Sequence, residues 1–309
     1  NKAVGRFISS GFYYKTFMRP RFFWNHIYQR VLRKFAPGGK IYWQTPSTST
    51  YDKRYVHPDV LIAGGGPAGM SAAISAADQG ASVLLVEMES GLGGHLRWGD
   101  TSEISNMKSL IKEIENRENI EVLTDSTVTG RYDHNWVSVM QRSHSITRER
   151  LIKARVGTLV VAPGLIERPY IFKGNDIPGV MLSGAVRRLI NLWAVKPGQR
   201  AVVFTANPEG DSAIRDLQKA GIEVVEVVDA RKGQRIVAAV GKKRVKSVEL
   251  SDGRSIDADL VVVAAGWTAP TSLLNMAGDK PEYDQKAARY FPNDLPDDVL
   301  ATGGIVGNG

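Results

Sequence analysis

Three glycines at GxGxxG spacing, Gly64, Gly66 and Gly69, stand between a short apolar run and a run of small residues; an acid, Glu87, follows 18 residues after the last. Each position has a physical task. Gly64 permits a tight turn, Gly66 lets backbone approach a pyrophosphate, and Gly69 lets a helix pack closely on a strand. Pro67 and Ala68 lead into that helix, whose first N–H groups and partial positive charge suit an anion. Glu87, with Met88 directly behind it, can accept hydrogen bonds from ribose hydroxyls, and its charge disfavours a 2′-phosphate. The implied ligand is NAD or FAD, which share an ADP half, rather than NADP. The glycine spacing alone is weak in a chain of 31 glycines; the surrounding pattern and the acid give it force.

Further residues fall into the same neighbourhood. Gly93-Gly94-His95-Leu96-Arg97 offers backbone amides and a cation for the phosphates or the second nucleotide half. Val128 is a candidate for backbone contact with adenine. Ala162-Pro163-Gly164 ends a strand where the chain crosses between domains, and Ala264-Ala265-Gly266 repeats that feature. Near the end, Ala301-Thr302-Gly303-Gly304 would return to the glycine site.

The elements needed to position these residues are legible. Val60–Ala63 reads as a buried strand, Met70 to about Gln79 as a helix closed by Gly80, and Ser82–Glu87 as a second strand: a βαβ unit of the expected ~30 residues. A helix over Glu103–Arg117 follows, then short strands at Ile120–Leu123, Thr127–Tyr132, Trp136–Met140 and Ile152–Val156, and a buried strand from Thr158. The plan then restarts. Arg200–Thr205, a helix over Asp211–Ala220 and Glu223–Asp229 form a second βαβ pattern, with Ile236–Val240, Val245–Leu250 and Asp259–Ala265 behind it. Its turn reads Thr205-Ala206-Asn207-Pro208-Glu209-Gly210-Asp211, so acids stand where a pyrophosphate would sit, and this module is expected to be empty. The fold class is α/β: two nested Rossmann-like dinucleotide-binding domains of the flavoprotein type. The expected division is residues 59–165 plus 267–309 for the dinucleotide-binding domain and 166–266 for the inserted one. Residues 1–58 form a basic, aromatic arm of turn and extended character, packing on a partner or neighbouring domain.

Composition excludes several classes. With no cysteine, the chain has no thiolate iron–sulfur or zinc site, CxxC pair or disulfide; the five histidines show no metal-ligand spacing. No apolar run reaches the ~18–20 residues of a membrane span. Net charge is +8, yet residues 1–58 hold eleven of the 40 Lys and Arg against one acid, Asp52, leaving the remainder near neutral. No nucleic-acid-binding motif accompanies that charge, so interface packing is the expected role of the arm. There is no GxxxxGK[ST] loop and no GxSxG elbow. The start at Asn1-Lys2-Ala3 and the end at Gly307-Asn308-Gly309 lead us to expect a piece of a longer polypeptide, and the absence of cysteine fits the cytoplasm.

Beyond these patterns, Phe12-Tyr13-Tyr14-Lys15-Thr16-Phe17, Ile166-Glu167-Arg168-Pro169 and Gly174-Asn175-Asp176-Ile177-Pro178-Gly179-Val180-Met181-Leu182 resemble the α subunit of heterotetrameric sarcosine oxidase. Gly184-Ala185-Val186-Arg187 and Gly266-Trp267-Thr268-Ala269-Pro270 extend the resemblance. It implies a subunit of a multi-subunit amine oxidase or dehydrogenase. In such a complex a β-type partner holds FAD and oxidises a secondary amine, an FMN lies between α and β, and the α subunit holds NAD. Further small subunits belong to the implied assembly. The family's folate-linked aminomethyltransferase-like domain and its small initial domain have no counterpart in this sequence, so transfer of formaldehyde to folate is not implied.

The implied function is thus a dinucleotide-holding subunit supporting amine oxidation in a partner. The alternatives are a self-contained FAD-dependent NAD(P)H reductase and a non-catalytic dinucleotide-binding scaffold. No residue stands out as a catalytic base. FAD enzymes of the nested architecture usually close the site with Gly-Asp, whose carboxylate accepts from the ribityl chain. Here Gly304 stands in place of that aspartate, which favours NAD.

Overall fold

The computed structural model describes residues 20–35, 44, 50–142 and 147–307. The Phe12–Phe17 motif and the turns around Pro37 and Pro46 lie outside the described residues. The chain divides into two compact units: Ser47–Glu167 with Trp267–Gly309, and Arg168–Gly266 with the described part of the N-terminal stretch.

The N-terminal expectation is corrected in two places. Residues 21–35 form a helix (α1), widened to π geometry over Trp24–Tyr28. No Gly or Pro interrupts it, and Phe23, Ile27 and Val31 recur at i, i+4 spacing. None of its described side chains is buried. Tyr51–Val56 is then a strand (β1) with alternating exposure, anchored by a bidentate pair between Arg150 and Asp52 at 2.7–2.8 Å and by Arg54 on Glu121.

The first unit continues through β2 (Val60–Ala63), α2 (Pro67–Asp78), β3 (Val83–Val86), α3 (Thr101–Glu115), β4 (Ile120–Leu123), β5 (Ser126–Tyr132), β6 (Trp136–Arg142), β7 (Glu149–Arg155), β8 (Thr158–Val161) and β9 (Ile166–Glu167). A full capping box starts α3: the Asp100 carboxylate accepts from the N–H of Ser102 and Glu103, and Glu103 accepts from the N–H of Asp100. The second unit holds β10 (Val180–Leu182), α4 (Ser183–Trp193), β11 (Arg200–Thr205), α5 (Glu209–Lys219), β12 (Glu223–Asp229), β13 (Ile236–Gly241), β14 (Val245–Leu250), β15 (Ser255–Asp257) and β16 (Leu260–Ala264). The chain then returns through β17 (Trp267–Thr268), α6 (Ser272–Met276), the hairpin β18 (Glu282–Asp284) and β19 (Arg289–Phe291), and β20 (Val299–Ala301).

In the first unit a parallel sheet of order β20-β8-β2-β3-β4 faces a four-stranded sheet of order β1-β7-β6-β5. The parallel sheet is buried on both faces, which explains its unbroken apolar runs. Leu61, Ala63, Leu84, Val86, Leu159 and Val161 point to the four-stranded sheet, meeting Val137, Val139 and Ile152. Ile62, Val83, Leu85 and Val160 point the other way, onto Met70, Ala73 and Ala77 of α2.

The second unit repeats the plan, with a parallel sheet β10-β16-β11-β12 and an antiparallel sheet β13-β14-β15. Val202, Phe204, Val261 and Val263 face the antiparallel sheet; Ala201, Val203, Leu260 and Val262 face Val186 of α4 and Leu217 of α5.

Candidate functional site

The glycine turn joins β2 to α2 and closes against the end of β8. Gly64 has φ +118°, and a Cβ there would lie 2.1 Å from the Ala162 carbonyl oxygen. At Gly69 a Cβ would lie 1.9 Å from the Gly64 oxygen. Gly66 is different: its backbone is ordinary (φ −74°, ψ −179°), and a Cβ would meet nothing closer than Gly94 Cα at 3.9 Å. The space beside Gly66 is therefore open, as close approach of a ligand requires. No side chain caps α2, Pro67 sits in its first turn, and no acid lies there, so no residue of that turn offsets its N-terminal charge.

Glu87 follows β3 and is 8% exposed. Its Oε2 accepts the Gly65 N–H at 2.7 Å and its Oε1 accepts the Glu89 N–H at 2.7 Å. The carboxylate thus clamps the glycine turn to the strand end, and each oxygen keeps a further lone pair. Met88 beside it is 65% exposed.

The Gly93–Arg97 segment lies across this turn. The Gly93 N–H donates to the Gly65 carbonyl at 2.8 Å, and a Cβ on Gly94 would stand 3.0 Å from Gly66 Cα. In the short helix Gly94–Trp98, Leu96 is buried and His95 exposed, while Arg97 is half-buried and 3.9 Å from Glu89. Val128 is partly buried on β5 and packs against the core of the first unit.

The C-terminal segment completes the arrangement. The Thr302 N–H donates to Val161 at 3.1 Å, beside Ala162-Pro163-Gly164. Gly303, at φ +77°, is so close to α2 that a Cβ would lie 2.7 Å from the Ala68 Cβ. A Cβ on Gly304 would stand 3.0 Å from Leu165 Cγ and 3.2 Å from its Cδ1. Sequence reasoning overlooked Leu165, because nothing in its type or spacing marks it.

The corresponding place in the second unit is filled by the protein itself. At the start of α5, the Glu209 N–H donates to Asn207 Oδ1 at 2.9 Å, and Asn207 Nδ2 donates to the Ala264 carbonyl. Glu209 and Asp211 are both in the first turn of α5. Arg187, 9% exposed, donates to Glu209 at 2.8 Å and to Asp216 at 2.7 Å, and Asn191 donates to the same Asp216 oxygen. Burial alone would lower the Arg187 pKa, but the hydrogen bonds to Asp216 and Glu209 outweigh it and raise it. Asp229, which ends β12 as Glu87 follows β3, is held bidentately by Arg231, and its pKa is lowered by that bond. Among the described residues no group of His, Asp or Glu could hold a metal ion. Nor is any helix there long and apolar enough to cross a membrane.

Two nested α/β units with a glycine turn, uncapped helix and terminal acid make the fold of two-dinucleotide-binding-domain flavoproteins. The FAD-dependent oxidoreductase family model matches residues 59–154. The L-proline dehydrogenase structure from P. horikoshii shares the fold with a TM-score of 0.70 at 23% identity, covering 86% of this chain and 53% of that one. Beyond the fold, the chain is homologous to a portion of sarcosine oxidase α subunits. It is 33% identical to that of Rhizobium meliloti (strain 1021), over 100% of this chain and 34% of the relative. It is 31% identical to that of Corynebacterium sp. (strain P-1), over 85% of this chain and 32% of the relative. The chain therefore spans about a third of the length of these curated relatives.

Proposed function

We propose that this chain is the dinucleotide-holding part of a subunit in a multi-subunit, flavin-dependent oxidase or dehydrogenase of secondary amines. The observation that carries the reading is the cradle made by Gly64, Gly66, Gly69 and Glu87, with α2 aimed at its open side. Support for the substrate class comes from the relatives: sarcosine and proline, in the names of the matched proteins, are both secondary amines.

The ADP half of a dinucleotide fits these residues. Glu87 keeps lone pairs for ribose hydroxyls, the first turn of α2 at Pro67, Ala68 and Gly69 takes the pyrophosphate, and Gly94 with Arg97 borders it. Met88 and Val128 flank the adenine side; Ala162, Pro163, Gly164, Gly303 and Gly304 border the other half. That other half fits flavin poorly, since Gly304 supplies no carboxylate and Leu165 stands beside it. We therefore favour NAD here, with FAD as the alternative, and place FAD and FMN of the complex with a β-type partner. When bound, NAD supplies a nicotinamide ring able to accept hydride. The N-terminal arm packs on that partner or on a neighbouring domain, and the complex works in the cytoplasm.

The competing reading, a self-contained FAD-dependent NAD(P)H reductase, gains weight from the FAD-dependent family match. It needs a second open nucleotide cleft, and the Asn207–Glu209–Arg187 arrangement closes the place for one. The test is purification from the native source, mass-spectrometric identification of co-purifying chains, and chemical identification of released cofactors. Distinct partner chains carrying FAD and FMN are expected. A homo-oligomer whose FAD is bleached by NADH would overturn the proposal.

A further inference from the structure

Position 304 lies just past the contact between the C-terminal segment and α2, where Gly303 meets Ala68. It therefore borders the half of the ligand beyond the pyrophosphate. Its nearest neighbour is Leu165: a Cβ on residue 304 would stand 3.0 Å from Leu165 Cγ, 3.2 Å from Cδ1 and 3.8 Å from Cδ2. Leu165 is held from behind, being packed partly buried against the core of the first unit. Gly164 before it has φ +70°, and the short strand Ile166–Glu167 after it pairs with Trp267–Thr268, which fixes the backbone on that side. The wall here is thus a branched apolar side chain opposite a glycine, with no side-chain acceptor on either.

The two ligands that share an ADP half differ at this wall. A flavin dinucleotide continues from the pyrophosphate into an open polyol chain, whose hydroxyls need acceptors once water is excluded. Laid against Leu165 they would be buried without partners, a loss of roughly 1–3 kcal/mol for each group. An aspartate at 304 could supply the acceptor, but its Cβ would crowd Leu165, 3.0 Å from Cγ and 3.2 Å from Cδ1.

We propose that Leu165 and Gly304 form a selectivity pair that excludes a flavin dinucleotide from this site. The glycine removes the acceptor, and the leucine fills the volume in which an acceptor would stand. This rests on the reading of the Gly64–Gly69 turn as an NAD site.

The test uses the purified full chain as wild type, Gly304→Asp, Leu165→Ala and the double variant, each incubated with FAD, desalted and denatured. Released nucleotides are separated by chromatography and flavin is measured by its visible absorbance; binding of ADP, which reports only the shared half, serves as the control for an intact site. Wild type and Gly304→Asp are expected to retain no flavin. The double variant is expected to retain FAD, through an affinity for it about tenfold or more above wild type, with ADP affinity unchanged. A double variant that binds ADP normally yet gains no FAD overturns the pair. So does Gly304→Asp alone gaining as much FAD as the double variant, since Leu165 would then be no barrier. Stoichiometric FAD in the untreated wild type would instead defeat the NAD reading on which the pair depends.

Discussion

Gly65 and Glu87, 22 residues apart, are joined by a 2.7 Å hydrogen bond from the Gly65 N–H to Oε2 of the carboxylate. The acid read from the sequence as a ribose acceptor is thereby also the clamp that holds the glycine turn on the end of β3. Its second oxygen, occupied by the Glu89 N–H, fixes the strand exit in the same way.

Both roles are expected to appear on substitution. Glu87→Ala removes a charged acceptor and strands two backbone donors. A hydrogen bond to a charged group contributes about 1.5–3 kcal/mol, so ADP-ribose affinity should fall roughly ten- to hundredfold, with the circular dichroism spectrum intact. Calorimetric titration reading wild-type affinity in the folded variant would remove Glu87 from the site.

The glycines of the turn are expected to separate into two kinds. Gly69→Ala drives a methyl group to 1.9 Å from a backbone oxygen, a clash only a backbone shift can relieve, and overpacking of this sort costs about 1–3 kcal/mol. Gly66→Ala meets nothing within 3.9 Å and should leave thermal stability unchanged while blocking the pyrophosphate. Equal losses of melting temperature in the two variants would contradict this division.

How much was legible beforehand follows from the range of the signals. The βαβ unit around Gly64 was readable because its turn, helix and strand lie within one continuous stretch, and β4, β11, β12 and β14 were read to the residue, β11 from its buried apolar run. Helix α1 was missed because the flanking glycines and prolines around Gly11 and Pro37 dominated its neighbourhood, and its apolar residues cover no core. Strand β1 was missed because an edge strand with alternating exposure and three consecutive charged residues, Tyr51–Val56, has no apolar run at all. The Leu165–Gly304 neighbourhood joins residues far apart in sequence, and no local pattern reports such a pair. Asn207 was visible only as a turn residue; its capture of the Glu209 N–H emerges once α5 is in place.

The Arg187 network should be a strong determinant of the second unit's stability. Arg187→Met leaves Asp216 and Glu209 without their cation in a site where Arg187 and Asp216 are 9% and 7% exposed. Breaking a buried pair by removing one partner costs about 3–5 kcal/mol. Combining Arg187→Met with Asp216→Leu should recover part of that loss. A single variant unfolding in denaturant at the wild-type midpoint would show the network to be energetically idle.

Asp259 gives the second unit an acid-sensitive contact. Burial pushes its pKa up, but the backbone N–H groups of Arg200 and Gln199, with Arg244 nearby, outweigh that and hold it below the usual carboxylate value. A depressed folded-state pKa contributes stability that is present above the unfolded value of about 3.9 and lost as pH falls through the folded one. Asp259→Asn keeps an oxygen for both N–H groups but cannot titrate. Its stability should therefore fall less steeply than wild type below about pH 4. Identical acid limbs in calorimetry would exclude Asp259 as a contributor.

The last expectation is that the folded chain holds one dinucleotide and not two, even though it contains two Rossmann-like units. In the first unit the helix N-terminus after the glycine turn is uncapped and free of acids. In the second, Asn207 takes the Glu209 N–H, Glu209 and Asp211 place negative charge where a pyrophosphate would bind, and Arg231 already engages the acid at the end of β12. Bringing a phosphate to that turn would require breaking the Arg187–Glu209 bond and bearing repulsion from the remaining acids. Like charges held a few ångströms apart repel by about 4 kcal/mol at an effective dielectric of 20, enough to weaken binding by roughly three orders of magnitude. Titration of cofactor-stripped protein with ADP-ribose should therefore saturate at one equivalent, and the Glu87→Ala variant should lose that single phase. Added NADPH should produce no second phase and no absorbance change in any flavin present. A second saturable phase that survives Glu87→Ala but disappears when Arg231 is replaced would show the second unit to be a working nucleotide site.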